Sequence, residues 1–216
     1  MNKITEKVIE NLKFDFFTDT DVANLFAGKS RDGLYALVKR AIANKEIIHL
    51  RKGLYCLAAK YQRKGVNLYS LAQLIYGPSY ISLESALSYH GWIPEAVYTV
   101  TSVSMKKSKE FETLLGRFSF SRIPLKVFYS KVERISDEQT GVSFFMARPM
   151  KALADYVYVY KKSWLSLEPA VKSLRIEKEQ LEKVTAKELN LISQNYKNRR
   201  VRQFIEAVKK DLGYER

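Results

Sequence analysis

The N-terminal part of the chain contains the pattern that most restricts its fold, a series of helical segments followed by two short β runs. Apolar side chains recur at helical spacing over residues 4–12. Thr18 and Asp21 have the spacing of a capping box, which predicts a second, short helix. Ser30 is a favourable N-cap, and the helix that it begins is expected to run to about Asn44. Three consecutive helices are therefore predicted before the first β signal.

A β-hairpin is predicted directly after these helices. Two apolar runs, residues 47–50 and 54–57, enclose the turn Arg51-Lys52-Gly53. Three helices followed by a hairpin are the element order of a winged helix-turn-helix, which places its third helix in the major groove of DNA. We therefore predict a winged helix-turn-helix DNA-binding domain over residues 1–64. Its candidate DNA contacts are on the third helix, at the N-terminus of that helix and at the hairpin tip: Lys29, Ser30, Arg31, Tyr35, Lys39, Arg40, Arg51 and Lys52.

The charge distribution favours a polyanionic partner. The formal net charge is +14, from 37 Lys and Arg against 23 Asp and Glu. Residues 1–64 carry 13 basic and 7 acidic side chains, residues 65–160 carry 10 and 8, and residues 161–216 carry 14 and 8. A general solubility effect has no reason to spare the middle of the chain, so the excess indicates basic surfaces at both ends.

The rest of the chain, residues 65–216, is predicted to be a mixed α/β domain that follows a polar linker at 60–65, so the whole protein is expected to be α+β. Helices are expected over 68–75 and 83–90 and from Pro149, and strands over 97–103, 118–120, 127–129 and 142–146. His90 is expected to be a hydrogen-bonded structural histidine on the core side of its helix.

The tail, residues 161–216, is predicted to be helical and basic. Asn198 is expected to cap a final amphipathic helix. We hypothesise that Arg199, Arg200 and Arg202 contact the DNA backbone, because this cluster is denser than ordinary helix ion pairs require. The alternatives are a solvated helix face and a surface for an acidic protein partner.

A motif typical of one protein family occupies residues 80–95, with the sequence Tyr80-Ile81-Ser82-Leu83-Glu84-Ser85-Ala86-Leu87-Ser88-Tyr89-His90-Gly91-Trp92-Ile93-Pro94-Glu95. It is followed by residues 97–104, Glu112-Thr113 with Gly116-Arg117-Phe118, and Ala147-x-Pro149-x-Lys151-Ala152-Leu153-x-Asp155. Together these segments resemble the AbiEi-family antitoxins of type IV toxin–antitoxin systems, which act in phage defence by abortive infection. One departure is Met150, where family members commonly have Glu.

The resemblance implies a transcriptional repressor with two tasks. The winged helix would bind inverted repeats of double-stranded DNA in the promoter of its own operon, and the C-terminal domain would neutralise a nucleotidyltransferase-like toxin. Candidate toxin contacts are polar residues of the first motif: Tyr80, Ser82, Ser85 and Tyr89. The alternative, that these residues belong to the core, stays open from the sequence.

No catalytic motif stands out, so we expect neither an enzyme nor a cofactor. The chain lacks a phosphate-binding Gly loop and a nucleophile elbow, and its single cysteine, Cys56, excludes a disulfide scaffold and a Cys-based zinc site. No metal site is expected. Two alternatives remain. One is a winged-helix adaptor that binds only protein, and the other is a nuclease built on Glu84 with His90, or on Asp155 and Glu177, whose carboxylates would hold Mg²⁺ beside Lys178. We expect a cytoplasmic protein without a membrane partner, because no apolar run approaches ~18 residues.

Overall fold

The computed structural model describes residues 1–214, apart from the side chain of Lys178, and confirms the predicted α+β class. The chain divides into two units. The first comprises residues 1–75 with 113–115 and 136–142, and the second comprises the remaining residues. The helix at residues 68–75 therefore belongs to the first unit, beyond the domain boundary drawn after residue 64 from the sequence.

The first unit combines helices with a small antiparallel sheet. Its helices are α1 (Lys3–Asn11), α2 (Asp19–Leu25), α3 (Arg31–Ala43) and α4 (Leu68–Ile75). Its strands are β1 (Phe16–Thr18), β2 (Ile47–Arg51) and β3 (Leu54–Leu57), in the order β1-β3-β2. Apolar residues from helices and strands share one core: Ile4, Val8, Phe17, Val22, Val38, Ala41, Ile47 and Leu57.

Local caps explain where the helices of the first unit begin. The capping box of Thr18 and Asp21 is present in both directions, and the Ser30 hydroxyl accepts the N–H of Gly33 at 3.2 Å. Strand β1 had been missed, because three residues are too short to show a period of two. It exists because this segment pairs antiparallel with β3, with Phe17 opposite Tyr55, a long-range pairing that local sequence does not encode.

The segment predicted as a linker is anchored to the first unit. Asp15 is 4% exposed and accepts the Arg63 guanidinium at 3.1 Å and the Arg63 and Lys64 amides at 3.0 and 3.1 Å. Arg63 also donates to the carbonyls of Ile9 and Leu12, near the C-terminus of α1. A cation at this position interacts favourably with the helix dipole, so Arg63 holds the segment in place.

A mixed six-stranded sheet forms the centre of the second unit. Its order is β6-β7-β5-β4-β9-β8, with β4 antiparallel to β5 and parallel to β9, and β5 parallel to β7. The strands are β4 (Ser79–Ile81), β5 (Thr99–Ser104), β6 (Lys109–Thr113), β7 (Gly116–Arg122), β8 (Val132–Ser136) and β9 (Ser143–Ala147). The edge strands β6 and β8 were not predicted, because exposed edges lack apolar alternation.

The helices of the second unit are α5 (Leu83–Tyr89), α6 (Leu125–Phe128), α7 (Pro149–Val159), α8 (Glu168–Leu174), α9 (Lys178–Leu181), α10 (Ala186–Asn195) and α11 (Arg199–Asp211). The strand predicted at 127–129 is wrong, since this segment lies in and just after α6. Its buried apolar pair, Val127 and Phe128, is too short for periodicity to separate strand from helix. Within the described residues, no helix has the length and apolar character needed to cross a membrane.

Candidate nucleic-acid interface

Helix α3 presents a continuous basic face. Arg31, Lys39 and Arg40 are exposed, and Tyr35 on the same face is 67% exposed. Arg31, Tyr35 and Lys39 are spaced four residues apart and lie above one another, whereas Arg40 lies about 100° around the helix from Lys39. We call these four exposed residues the α3 stripe, and Val38 and Ala41 pack into the core. The three cations give the exposed side of α3 a positive charge.

The N-terminus of α3 adds donors to this face. Lys29 and Ser30 are exposed. The Ser30 oxygen accepts the N–H of Gly33, which leaves its own hydroxyl proton available to a phosphate oxygen. Asp32 is the one acidic residue in this first turn, and it limits how close a phosphate can approach.

The two DNA contacts predicted at the hairpin tip, Arg51 and Lys52, have different surroundings. The Arg51 guanidinium donates to the Leu74 carbonyl through Nε at 3.2 Å and Nη2 at 3.0 Å, and to the Lys52 carbonyl at 3.2 Å. Arg51 is therefore exposed but already engaged near the C-terminus of α4. Lys52 is exposed at the tip. Gly53 has a φ of 74°, and a Cβ there would meet the Asp19 carboxylate at 3.0 Å, so the turn requires glycine.

Tyr55 connects the hairpin with α2 through Asp19. Burial, together with the hydrogen bond to Asp19 and the charges of Asp19 and Tyr35, raises the pKa of Tyr55 to about 12. Its hydroxyl donates to Asp19 at 2.9 Å, and the exposed ring of His49 lies 5.5 Å from its ring. Tyr35 and His49 therefore both lie near Tyr55. Sequence reasoning treated Tyr55 only as part of an apolar strand and missed this contact.

The tail has its own basic cluster in the second unit. Arg199, Arg200 and Arg202 are exposed at the start of α11 and make no ion pair within the described residues. The Asn198 side chain caps the helix by accepting the N–H groups of Arg200 and Val201, as predicted. Three unpaired cations within four residues give this helix start a strongly positive surface.

A buried network in the second unit contains Lys151 and Asp155. Their side chains are 1% and 0% exposed and form an ion pair at 2.5 Å, because residues four apart share one face of α7. Tyr80 donates to Asp155 at 2.9 Å and Ser82 donates at 2.7 Å. Tyr196 also donates to Asp155, and Lys151 donates to both tyrosine hydroxyls. All lone pairs of the carboxylate are therefore used.

The three hydroxyl partners of the Lys151–Asp155 pair come from three different parts of the fold. Tyr80 lies on β4, Ser82 precedes α5, and Tyr196 follows α10. Through Tyr196, the network therefore ties the tail to the sheet and to α7. Tyr196 had no sequence signal, because its partners are more than 40 residues away in the chain.

Burial corrects the predicted toxin contacts. Tyr80, Ser82 and Ser85 are 1%, 0% and 0% exposed, so they are core residues and offer no contact surface. The Ser82 side chain bonds Asp155 instead of capping α5, and Ser85 exchanges hydrogen bonds with Thr101 across to β5. Tyr89 alone among the four is exposed, at 47%.

Other titratable residues are also enclosed. Asp155 is fully buried with its acceptors used, which does not fit the metal-ligand role of the nuclease alternative, and the Lys178 side chain lies outside the described residues.

His90 bonds the Ala147 carbonyl at 3.0 Å, and burial lowers its pKa, which confirms a hydrogen-bonded structural histidine. Burial raises the pKa of Cys56 to about 12. Met150, at the departure from the family pattern, is 1% exposed.

No protein-family model matches this chain, and no curated protein matches it at a significant level. In the part of the chain that the structure describes, no group of three or more His, Cys, Asp or Glu side chains is placed to hold a metal ion. The surface feature with the clearest chemical character is the basic stripe of α3 with its capped N-terminus.

Proposed function

We propose that this protein is a transcriptional repressor that binds double-stranded DNA through a winged helix-turn-helix formed by its first unit. The observation that carries this proposal is the exposed stripe of Arg31, Tyr35, Lys39 and Arg40 on α3. The element order of the first unit, helices α1 to α3 with the β2–β3 hairpin after them, supports the winged-helix assignment.

In the proposed complex, α3 lies in the major groove and its ends have different tasks. Arg31, at the N-terminal end, reaches base edges, where a guanidinium bonds guanine O6 and N7 in a bidentate manner. Lys39 and Arg40 neutralise phosphates, which positions the helix without reading sequence. Lys29 and Ser30 bind a phosphate at the helix N-terminus, and Lys52 meets the neighbouring backbone.

We further propose, from the resemblance to AbiEi-family antitoxins, that the protein represses its own operon at inverted repeats and counters a nucleotidyltransferase-like toxin. The second unit would carry the antitoxin task. Coexpression with a toxin gene from the same operon tests this part. We expect the full chain to restore growth, and persistent growth arrest despite normal expression of both proteins would contradict it.

Arg31→Ala is expected to weaken binding to the upstream duplex by about 1–3 kcal/mol and to relax base preference at one position per half-site. The reason is that Arg31, at the N-terminal end of α3, carries a guanidinium that can donate to two atoms of one base. Mobility shifts with the operon's upstream duplex and with a scrambled duplex of equal length measure both effects.

The matched control for this experiment is Arg134→Ala, which removes an exposed arginine of the second unit. It should leave affinity and base preference unchanged. If Arg31→Ala retains full affinity and preference, α3 does not read the groove. If the wild-type chain shifts neither duplex, the protein-only adaptor becomes the better description.

The tail is expected to add phosphate contacts. Reversing two charges with Arg199→Glu and Arg200→Glu should reduce the slope of log affinity against log salt by about 2, because each neutralised phosphate releases about one counterion. Titrations at several salt concentrations measure the slope, and the pair Arg134→Glu and Lys187→Glu serves as control. An unchanged slope removes the tail from the DNA interface.

A further inference from the structure

An open cavity of about 580 Å³ lies in the second unit, and the residues that line it are not members of the buried network. Its floor comes from β5 and β7, where Thr99 pairs with Arg117 and Thr101 pairs with Ser119. Glu84, in the first turn of α5, and Tyr160, directly after α7, also line it. A cavity of this size with apolar, aromatic and a few polar groups has the character of a binding site.

Glu84 is the unusual residue of this cavity. Its Oε2 atom is enclosed and makes no hydrogen bond within the described residues. The other enclosed side-chain atoms that lack a hydrogen bond in these residues are hydroxyl oxygens, which carry no charge. Leaving a carboxylate oxygen without a partner costs free energy, so native proteins rarely do so without a reason. Tyr160 is a neutral partner of the Glu84 carboxylate: burial, the charge of Glu84 and a side-chain hydrogen bond with Glu84 raise the pKa of this tyrosine.

The remaining carboxylates that line the cavity are neutralised by the protein itself. Glu95 pairs with Arg175 at 3.3 Å, and Glu110 pairs with Arg117 at 3.5 Å. Glu84 has no ion pair within the described residues. Glu84 is thus a lining carboxylate that the described residues leave without a cation, and the cavity is the open side from which one can approach it.

We propose that this cavity binds an arginine side chain presented by a protein partner. A guanidinium is a planar fork of five donors that bonds a carboxylate and neighbouring hydroxyls together and stacks on aromatic faces. The cavity offers that set in Glu84, the hydroxyls of Thr99 and Ser119, and the ring of Tyr160. A lysine ammonium would use the charge but neither the planar fork nor the stacking.

The rim of the cavity favours a protein segment over a free small cation. Tyr98 is 91% exposed and lines the cavity beside the half-buried Val97. A small cation seated at Glu84 would leave this aromatic surface in water, whereas a polypeptide carrying the arginine would cover it. Tyrosine and arginine dominate the energetics of protein interfaces. The inference does not depend on DNA binding by the first unit.

The test uses the full-length chain labelled with ¹⁵N and three capped tripeptides, Gly-Arg-Gly, Gly-Lys-Gly and Gly-citrulline-Gly, with agmatine as a free guanidinium. We expect saturable amide shifts at Thr99, Thr101 and Ser119 with the arginine peptide. Lysine should bind at least about threefold more weakly, and citrulline, the neutral isostere, at least about tenfold more weakly. Agmatine should bind at least about threefold more weakly than the arginine peptide, because it leaves the rim residues Val97 and Tyr98 exposed to water.

Glu84→Gln should weaken the arginine peptide about tenfold, since it removes the charge and keeps the shape. Glu182→Gln, an exposed residue outside the cavity, is the matched control and should bind like the wild type. Arg117→Gln should tighten binding severalfold, because it removes a competing cation. Wild-type affinity in Glu84→Gln, or no saturable shift with any guanidinium, would overturn the site. If agmatine binds as tightly as the peptide, the proposal that a protein partner presents the arginine is contradicted.

Discussion

Replacing Asp155 with asparagine is expected to lower the free energy of unfolding by about 3–5 kcal/mol. The replacement leaves the Lys151 ammonium in a site where the side chain is 1% exposed, with two tyrosine hydroxyls but no negative charge. Removing one member of a buried ion pair is costly because the other charge is left without compensation. Urea denaturation followed by circular dichroism measures the change.

Two variants separate the buried charge from general damage to the core. Combining Asp155→Asn with Lys151→Met removes both charges and should recover at least about 1 kcal/mol relative to Asp155→Asn alone. Asp32→Asn changes an exposed carboxylate and should stay within about 0.5 kcal/mol of the wild type. A loss below about 1 kcal/mol in Asp155→Asn would contradict the role of the network.

The stability loss of Asp155→Asn is expected to depend on pH. Burial lowers the pKa of Lys151, while the charge and hydrogen bond of Asp155 oppose that effect. Without Asp155 the pKa of Lys151 in the folded state falls further below its unfolded value of about 10.4. Between those two values the unfolded chain binds more protons, so stability rises with pH. The deficit should therefore shrink between about pH 7 and about pH 9.5, and a deficit that grows would contradict this account.

Reversing the charge of the α3 stripe with Arg31→Glu, Lys39→Glu and Arg40→Glu is expected to lower affinity for duplex DNA by at least about a thousandfold at low salt. In the proposed complex, each substitution removes a phosphate or base contact and adds repulsion against the duplex, and all three positions are exposed on α3. The exposed positions make a folding defect unexpected, which thermal unfolding checks. Fluorescence anisotropy with the upstream duplex measures the affinity.

The matched control reverses three exposed cations of the second unit, Lys107, Arg134 and Lys187. It changes the net charge by the same amount, so it separates a local interface from the general attraction of a basic protein to DNA. We expect the control to weaken binding by less than about tenfold. Equal losses in the two triple variants would mean that DNA binding depends on overall charge and not on α3.

Local chemistry made the helix starts predictable. The capping box of Thr18 and Asp21 and the caps at Ser30 and Asn198 formed as expected, because a cap uses side chains within three residues of the amides that they satisfy. The exposed stripe of α3 followed from helical periodicity in the same way. These features depend on neighbours in sequence, which the sequence displays directly.

The roles of other residues could not be predicted, because their hydrogen-bond partners are distant in the sequence. Tyr80, Ser82 and Ser85 stand in a polar motif, and their role depended on whether a carboxylate or a strand lay opposite. Arg51 resembles a free cation at a hairpin tip until the carbonyl of Leu74 is placed beside it. Neither outcome has a local signal, because the partners lie 16 to 75 residues away.

The sequence by itself determined the α+β class, the order of the N-terminal helices and hairpin, and the concentration of positive charge at both ends of the chain. Only the tertiary structure decided which polar residues are buried together and which remain available at the surface. The physical reason is that helix caps and periodicity act over a few residues. The Lys151–Asp155 network and the cavity that Glu84 lines are formed by elements far apart in the chain, which only folding brings together.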